Sequence, residues 1–317
     1  MFSFVKFLQS LKEFLKRKKW IWFTALTFAS AAGVLASMLF INSMTKDVAS
    51  KTYLEEHRLD TNLLDNFLIS RYDSLLSIAS IVTLNEKVKT AIKSKNEANV
   101  MELLEATSTG INAKTNISPI KIRFYAKDYK TENSQNNEFA DLVMSSKQNI
   151  SGIVANKDGI RLIGITPVDD GNSTIGAIEV SQSIHALKVD FERLGKEFIF
   201  VLNKNQLVFL DIAHKTDTYH DIDDTYKVAF HNYDSKFYQN LQRLNIEEVI
   251  ARKYEANKSF YTTYDETIDL NGRQIGLFFI GESSVGGSSF VQITKNMINS
   301  ITTVALGLVI SLILFIF

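Results

Sequence analysis

The sequence predicts an α+β protein in which one long N-terminal helix runs beside two stacked modules of antiparallel sheet, with a transmembrane helix at each end. Three observations carry this reading. Charge-free apolar runs stand near both termini, a helical apolar pattern without Pro or Gly follows the first run, and period-two alternation fills the middle, twice closed by a hairpin signal.

The first apolar run extends from Trp20 to Ile41, 22 residues without a charge, about 33 Å as a helix and long enough to span a bilayer. Lys6, Lys12, Lys16, Arg17, Lys18 and Lys19 precede it with Glu13 as the lone acid, which keeps the N-terminus cytoplasmic and sends the following chain outside. A cleaved signal peptide competes, given Ala29-Ser30-Ala31, but its apolar region runs to only about 7–15 residues. The second run starts near Met297 and stops at Phe317. Neither a charged stop nor a further domain follows, so the sequence reads as the N-terminal part of a longer polypeptide. In the first run Ala25, Ala29, Gly33 and Ser37 recur every fourth residue. Such a small-residue ladder is either a helix-dimer seam or chance in an Ala-rich span.

From Met44 to Val82 there is no Pro or Gly, and Leu63, Leu64, Phe67, Leu68, Leu75, Ile78 and Val82 fall at mixed three and four spacing, predicting one long amphipathic helix. His57 and Arg58 on it are expected to face solvent or a partner helix. A shorter helix is expected from Asn85 to Ala113, broken at Ser94–Asn96. At Pro119 the texture changes. Residues 120–125, 150–155, 160–166 and 175–181 alternate as strands, with Asp169-Asp170-Gly171-Asn172 as a turn and short helices near 139–145 and 185–196. A second set of strands is expected at 198–202, 207–210, 259–268 and 274–280. A polar, helical excursion interrupts it, and Asn271-Gly272 marks its closing hairpin. Ile175-Gly-Ala-Ile-Glu-Val180 has a counterpart in Ile275-Gly-Leu-Phe-Phe-Ile280, which fits duplication. The expected partition is a basic tail at 1–19, a first span at 20–42, a helical stalk at 43–118, a first module at 119–197, a second at 198–289 and a second span at 297–317.

Ile122-Arg-Phe-Tyr125, Ile150-Ser-Gly-Ile153, Gly159-Ile-Arg-Leu-Ile-Gly-Ile-Thr-Pro-Val168 and Ile175-Gly-Ala-Ile-Glu-Val180 resemble the double Cache sensory domains of bacterial chemoreceptors, sensor kinases and cyclic-di-nucleotide enzymes. The resemblance covers roughly 44–289, by motif in the first module and by layout in the second. It implies two PAS-like modules beside the long helix, the membrane-distal one holding a small ligand, in a homodimeric receptor of the bacterial inner membrane with its sensor in the periplasm. The Arg-x-Trp-Tyr strand of the amino-acid-sensing subtype is only partly matched by Arg123-Phe124-Tyr125, so an amino-acid ligand does not follow.

Alternation puts Lys121, Arg123 and Tyr125 on one face of their strand, and neighbouring strands offer Arg161 and Glu179 to the same side. A guanidinium fork suits a carboxylate ligand, and Tyr125 supplies an aromatic wall with a hydroxyl. The competing reading is an Arg123–Glu179 ion pair across the sheet.

Other chemistries find little purchase. The 35 basic and 35 acidic residues cancel, so bulk charge calls for no nucleic acid. No cysteine is present, which removes disulfides, thiolate metal sites and a cysteine nucleophile. Two imidazoles and four carboxylates crowd His214–Asp224, but the segment lacks the glycine and terminal glutamate of a calcium loop and reads as a solvated loop. Gly281–Ser289 reads as a flexible joint, with no Lys-Ser or Lys-Thr after it to make a phosphate loop. No catalytic motif and no cofactor are expected. The output then falls to a chemotaxis kinase and adaptor acting on a cytoplasmic region. The alternatives are the same sensor feeding a histidine kinase or diguanylate cyclase, and a membrane-anchored scaffold without signalling.

Overall fold

The computed structural model describes the chain apart from residues 1, 115–117, 128–137, 157–158, 172, 211–218, 230–232, 285–289 and 317, with backbone alone at 2–27, 29–30, 209–210, 229, 309 and 312–316. The chain divides into two compact units, Met1–Glu55 with Gly286–Phe317, and Glu56–Val285. Helix α1 runs from Phe2 to Thr83, 82 residues without a break.

In the first unit, α1 is accompanied by α8 (Phe290–Ile316), and Tyr53 meets Phe290 edge to face at 6.0 Å. Large apolar side chains stand exposed on both helices, among them Leu35, Leu39 and Phe40 on α1 and Val304 and Leu308 on α8. Among the described residues no single helix is long and apolar enough to cross a membrane; the expected span at 20–42 falls largely on residues whose side chains lie outside the description. Of the small-residue ladder, Ala25 and Ala29 are outside it too, while a Cβ added to Gly33 would meet nothing within 4 Å.

The second unit is built on two antiparallel sheets. Helices α2 (Glu86–Lys93) and α3 (Glu97–Lys114) follow α1, and the break between them is the expected one; Asn85 caps α2 by accepting from the Lys87 N–H. Then come β1 (Ile120–Ala126), α4 (Glu138–Ser146), β2 (Ile150–Asn156), β3 (Gly159–Asp169) and β4 (Thr174–Ser183), in sheet order β1-β4-β3-β2. One face of this sheet packs Ile120, Phe124, Leu162, Ile178 and Val180 with Leu64, Leu75, Ala79 and Val82 of α1 and with α2 and α3. The other face packs Tyr125, Ile163, Ile165 and Ala177 with Ala140, Val143 and Met144 of α4.

Helix α5 (Ala186–Glu192) leads to β5 (Glu197–Asn203), β6 (Tyr219–Asp221), β7 (Tyr226–Ala229), α6 (Ser235–Leu241), α7 (Ile246–Arg252), β8 (Tyr254–Ala256), β9 (Phe260–Ile268) and β10 (Gln274–Ser283), in sheet order β6-β7-β5-β10-β9-β8. The central strands repeat the first sheet: β5-β10-β9-β8 has the connectivity of β1-β4-β3-β2, and β7 adds the outer strand that completes the PAS-like order. Gly176 pairs with Ala126 and Gly276 with Leu202. A Cβ on Gly176 would strike the Phe124 ring and the Tyr125 carbonyl; one on Gly276 would strike the Phe200 ring and the Val201 carbonyl. The Ile-Gly step thus occupies one structural position in both modules.

Three expectations are corrected. Residues 204–210 form a 3₁₀ turn rather than a strand; Asn203 Oδ1 accepts the Asn205 N–H at 3.0 Å, turning the chain, and β5 takes β7 as its neighbour instead. The polar excursion contains β6, β7 and β8, each of three or four residues, too short to show periodicity. His57, half-buried, turns onto the second sheet: its Nδ1 lies 2.6 Å from Thr263 Oγ1 and its ring stacks on Tyr264. Burial and the charge of Lys253 hold its imidazole below the usual range.

The turn between β9 and β10 joins the two sheets. Its carboxylate Asp269 accepts the Asn271 and Arg273 N–H groups at 2.9 Å each and pairs with the Arg273 guanidinium at 2.6 Å. With the turn so braced, the Leu270 N–H donates to the Ile153 carbonyl of β2 at 2.8 Å. The Leu270 side chain fills the place where a Cβ on Gly152 would stand, as a peg in the edge of the first sheet.

Candidate functional site

Alternation fixes which side chains of the first sheet share a face. Arg123 and Tyr125 on β1, Arg161 on β3 and Glu179 and Ser181 on β4 stand on the α4 side, whereas Gln182 on the opposite face reaches Arg71 of α1 at 3.5 Å. All four sequence-chosen residues therefore come together on one face. Ser181 is the member that sequence reading missed; the same alternation that selected Glu179 two residues earlier would have found it.

The cluster is buried and bonded. Glu179 is 3% exposed, Tyr125 7%, Arg161 8% and Ser181 0%. The Tyr125 hydroxyl donates to Glu179 Oε2 at 2.9 Å, Arg123 Nη1 stands 3.7 Å from Glu179 Oε1, and Arg161 Nε donates to Ser181 Oγ at 3.1 Å. The Arg123–Glu179 pair weighed from sequence is thus present, at the longest of these three distances. Two guanidinium groups, one carboxylate and two hydroxyls on a single sheet face can receive an anion at the arginines and a cation or donor at Glu179. Burial strengthens such contacts by excluding water.

The equivalent face of the second sheet is different. The paired registers match Arg123, Tyr125, Arg161, Glu179 and Ser181 with Ile199, Val201, Phe260, Phe279 and Gly281. The first four of these belong to one apolar core with Phe237, Leu241, Ile246 and Val249 of α6 and α7, and Phe237 fills the space above Gly281. No polar group in that set awaits a ligand.

Two other places were marked from sequence. Residues 211–218 of the imidazole- and carboxylate-rich segment, and 285–289 of the glycine–serine joint, lie outside the described residues. Asp221 pairs with Lys204 at 2.8 Å and Lys227 at 3.4 Å, which holds its carboxyl below the usual range. No group of three or more metal-type ligands occurs among the described residues. A separate groove of about 400 Å³ between α2 and α3 is lined by Glu86, Lys87, Thr90, Ala91, Ser94, Asn99 and Leu103; no buried charge points into it.

No protein-family model matches the chain, and no curated protein does. Solved structures are similar to it. The sensor domain of the V. cholerae histidine kinase DctB matches at 9% identity and TM-score 0.38, over 74% of this chain and 98% of that one. A domain of a sensory box/GGDEF family protein from Vibrio parahaemolyticus matches at 11% and 0.42, over 74% and 97%. The ligand-binding domain of the Pseudomonas aeruginosa PAO1 amino acid chemoreceptor PctC, solved with GABA, matches at 11% and 0.34, over 73% and 98%. With all three TM-scores below 0.5, the fold stands on its own strand order and register. The structures that the chain is similar to include sensor domains of histidine kinases and ligand-binding domains of chemoreceptors.

Proposed function

We propose that the chain is the sensing region of a transmembrane chemoreceptor of double Cache architecture, in which the polar face of the first sheet binds a small molecule and the second sheet relays the change. The observation that carries it is the contrast between five polar side chains on one sheet and five apolar or absent ones at matching positions on the other. Arg123 and Arg161 would hold a carboxylate, Glu179 and Tyr125 the remainder of the ligand. The exposed apolar side chains of α1 and α8 support the membrane part of the reading, because such surfaces are costly in water and stable in lipid. Periplasmic placement, homodimerisation through the Ala25, Ala29, Gly33 and Ser37 face, and output to a chemotaxis kinase and adaptor belong to the same proposal. No catalytic role is assigned to these residues.

The test is thermal-shift screening of the full 317-residue chain in lipid nanodiscs against organic acids, amines and nucleobases. A carboxylate ligand is expected to stabilise saturably, by about 2.7 kcal/mol at a hundred times its Kd, and Arg123→Ala to weaken it at least about tenfold. A change below about twofold returns Arg123 to its structural pairing with Glu179. No stabilising compound across the panel points to a partner protein instead.

A further inference from the structure

A second charged cluster lies outside the polar face just described. Lys196, between α5 and β5, places Nζ 2.6 Å from Glu56 Oε1 and 2.6 Å from Asp60 Oδ1 on α1, and 3.5 Å from Glu282 Oε2 near the end of β10. One ammonium thus serves three carboxylates. The ring of Tyr261 on β9, 0% exposed, lies within reach of the Asp60 and Glu56 charges and is stacked by Tyr254 of β8. Asp60 is 2% exposed, and its Oδ2 has no hydrogen-bond partner among the described residues.

Buried charges persist when they are paired, and an uncompensated buried carboxylate is strongly disfavoured. The shared cation gains from its carboxylates while each carboxylate receives only part of the cation and is repelled by the others. Burial raises the Asp60 carboxyl to about 6, with Lys196 opposing and Glu56 and Glu282 adding to the rise. Burial also works against the Lys196 charge, but Asp60 and Glu56 outweigh it and hold the ammonium at about 12. The position matters as much as the charge. Helix α1 and strand β10 are the two segments by which the chain enters and leaves the second unit.

We propose that Glu56, Asp60, Lys196 and Glu282 form a proton-operated latch, which clamps α1 to the end of β10 when Asp60 is protonated and slackens when it is ionised. With Asp60 neutral, Lys196 is divided between Glu56 on the helix and Glu282 on the strand and bridges them. With Asp60 charged, both helix carboxylates claim the ammonium, and Glu282 is left with its longest contact. The closed latch binds a proton more tightly than the opened one, whose Asp60 carboxyl returns toward 3.8. Closure is therefore favoured at low pH, lost as pH rises from about 4 to about 6, and level above that.

Hydrogen exchange of the full chain in nanodiscs, read at residues 56–62 and 278–283 between pH 4.5 and 7.5 and corrected for intrinsic exchange, tests this. Protection is expected to fall at least about tenfold between pH 4.5 and 6 and to level off above. Asp60→Asn should hold high protection throughout. Glu56→Gln, a second variant should the first fail to fold, should move the onset of the plateau to lower pH. His57→Gln, altering a neighbouring titratable group, should leave the wild-type profile intact. A flat wild-type profile, a wild-type profile in Asp60→Asn, an unmoved onset in Glu56→Gln, or a profile abolished by His57→Gln overturns the latch. A ligand of the first sheet is not needed for any of these outcomes.

Discussion

The two sheets share connectivity and even the Ile-Gly step of their central strand, yet their corresponding faces were put to opposite uses. The second sheet closes Ile199, Val201, Phe260 and Phe279 under α6 and α7, and is held by dry packing. The first buries Tyr125, Arg161, Glu179 and Ser181, and on that face adds directed hydrogen bonds to the apolar packing of α4. A polar face of this kind is less stabilising than apolar packing of the same area. On the function proposed above, its presence in one module and not the other separates a recognising module from a supporting one.

Transplanting one residue across the pair tests the contrast most severely. Phe279→Glu puts the first sheet's carboxylate into the second sheet's core, where no Tyr125 or Arg123 equivalent exists, and is expected to destabilise by more than about 4 kcal/mol. Loss of cooperative unfolding in denaturant would register it; a tolerated Phe279→Glu would mean that the face is not a closed core. Next in size is Gly276→Ala, expected to cost about 3 kcal/mol because the Val201 carbonyl cannot move without disturbing the β5–β10 pairing. Gly176→Ala should behave alike in the first sheet, and a large disparity between them in the same unfolding experiment would break the structural equivalence. The smallest effect belongs to Tyr125→Phe, which keeps the ring and removes the donor to Glu179. It is expected to lower stability by about 1 kcal/mol, with a larger effect on ligand binding than on unfolding.

Much of this architecture was legible because it is written in local periodicity. Strands of seven or more residues showed their alternation, and Asn271-Gly272 marked the hairpin whose glycine adopts φ 76°. The same alternation put Arg123 and Tyr125 on one face and allowed neighbouring strands to offer Arg161 and Glu179; the pairing register is what brings the four together. What stayed hidden depends on distant pairing. Strands of three or four residues such as β6 and β8 exist only because a neighbour pairs with them. Lys196 is 140 residues from Glu56 and 136 from Asp60, so no spacing could reveal the cluster. His57 was misplaced for the same reason, its partner Thr263 being 206 residues away. The sequence also could not say that the second module's face would be filled, since Ile199, Phe260 and Phe279 declare their common core only once the register is known.

Strand β10 is tethered at both extremities. Just before its start, Leu270 is lodged in the first sheet's edge; near its end, Glu282 approaches the Lys196 ammonium. Ten extended residues, about 33 Å in length, behave as a tie-rod whose middle is locked between β5 and β9. If the proposed ligand site and the proposed latch are coupled through this rod, thermodynamic reciprocity requires that whatever seats itself among Arg123, Tyr125 and Glu179 should change proton uptake at Asp60, just as acidity should change how tightly it is held.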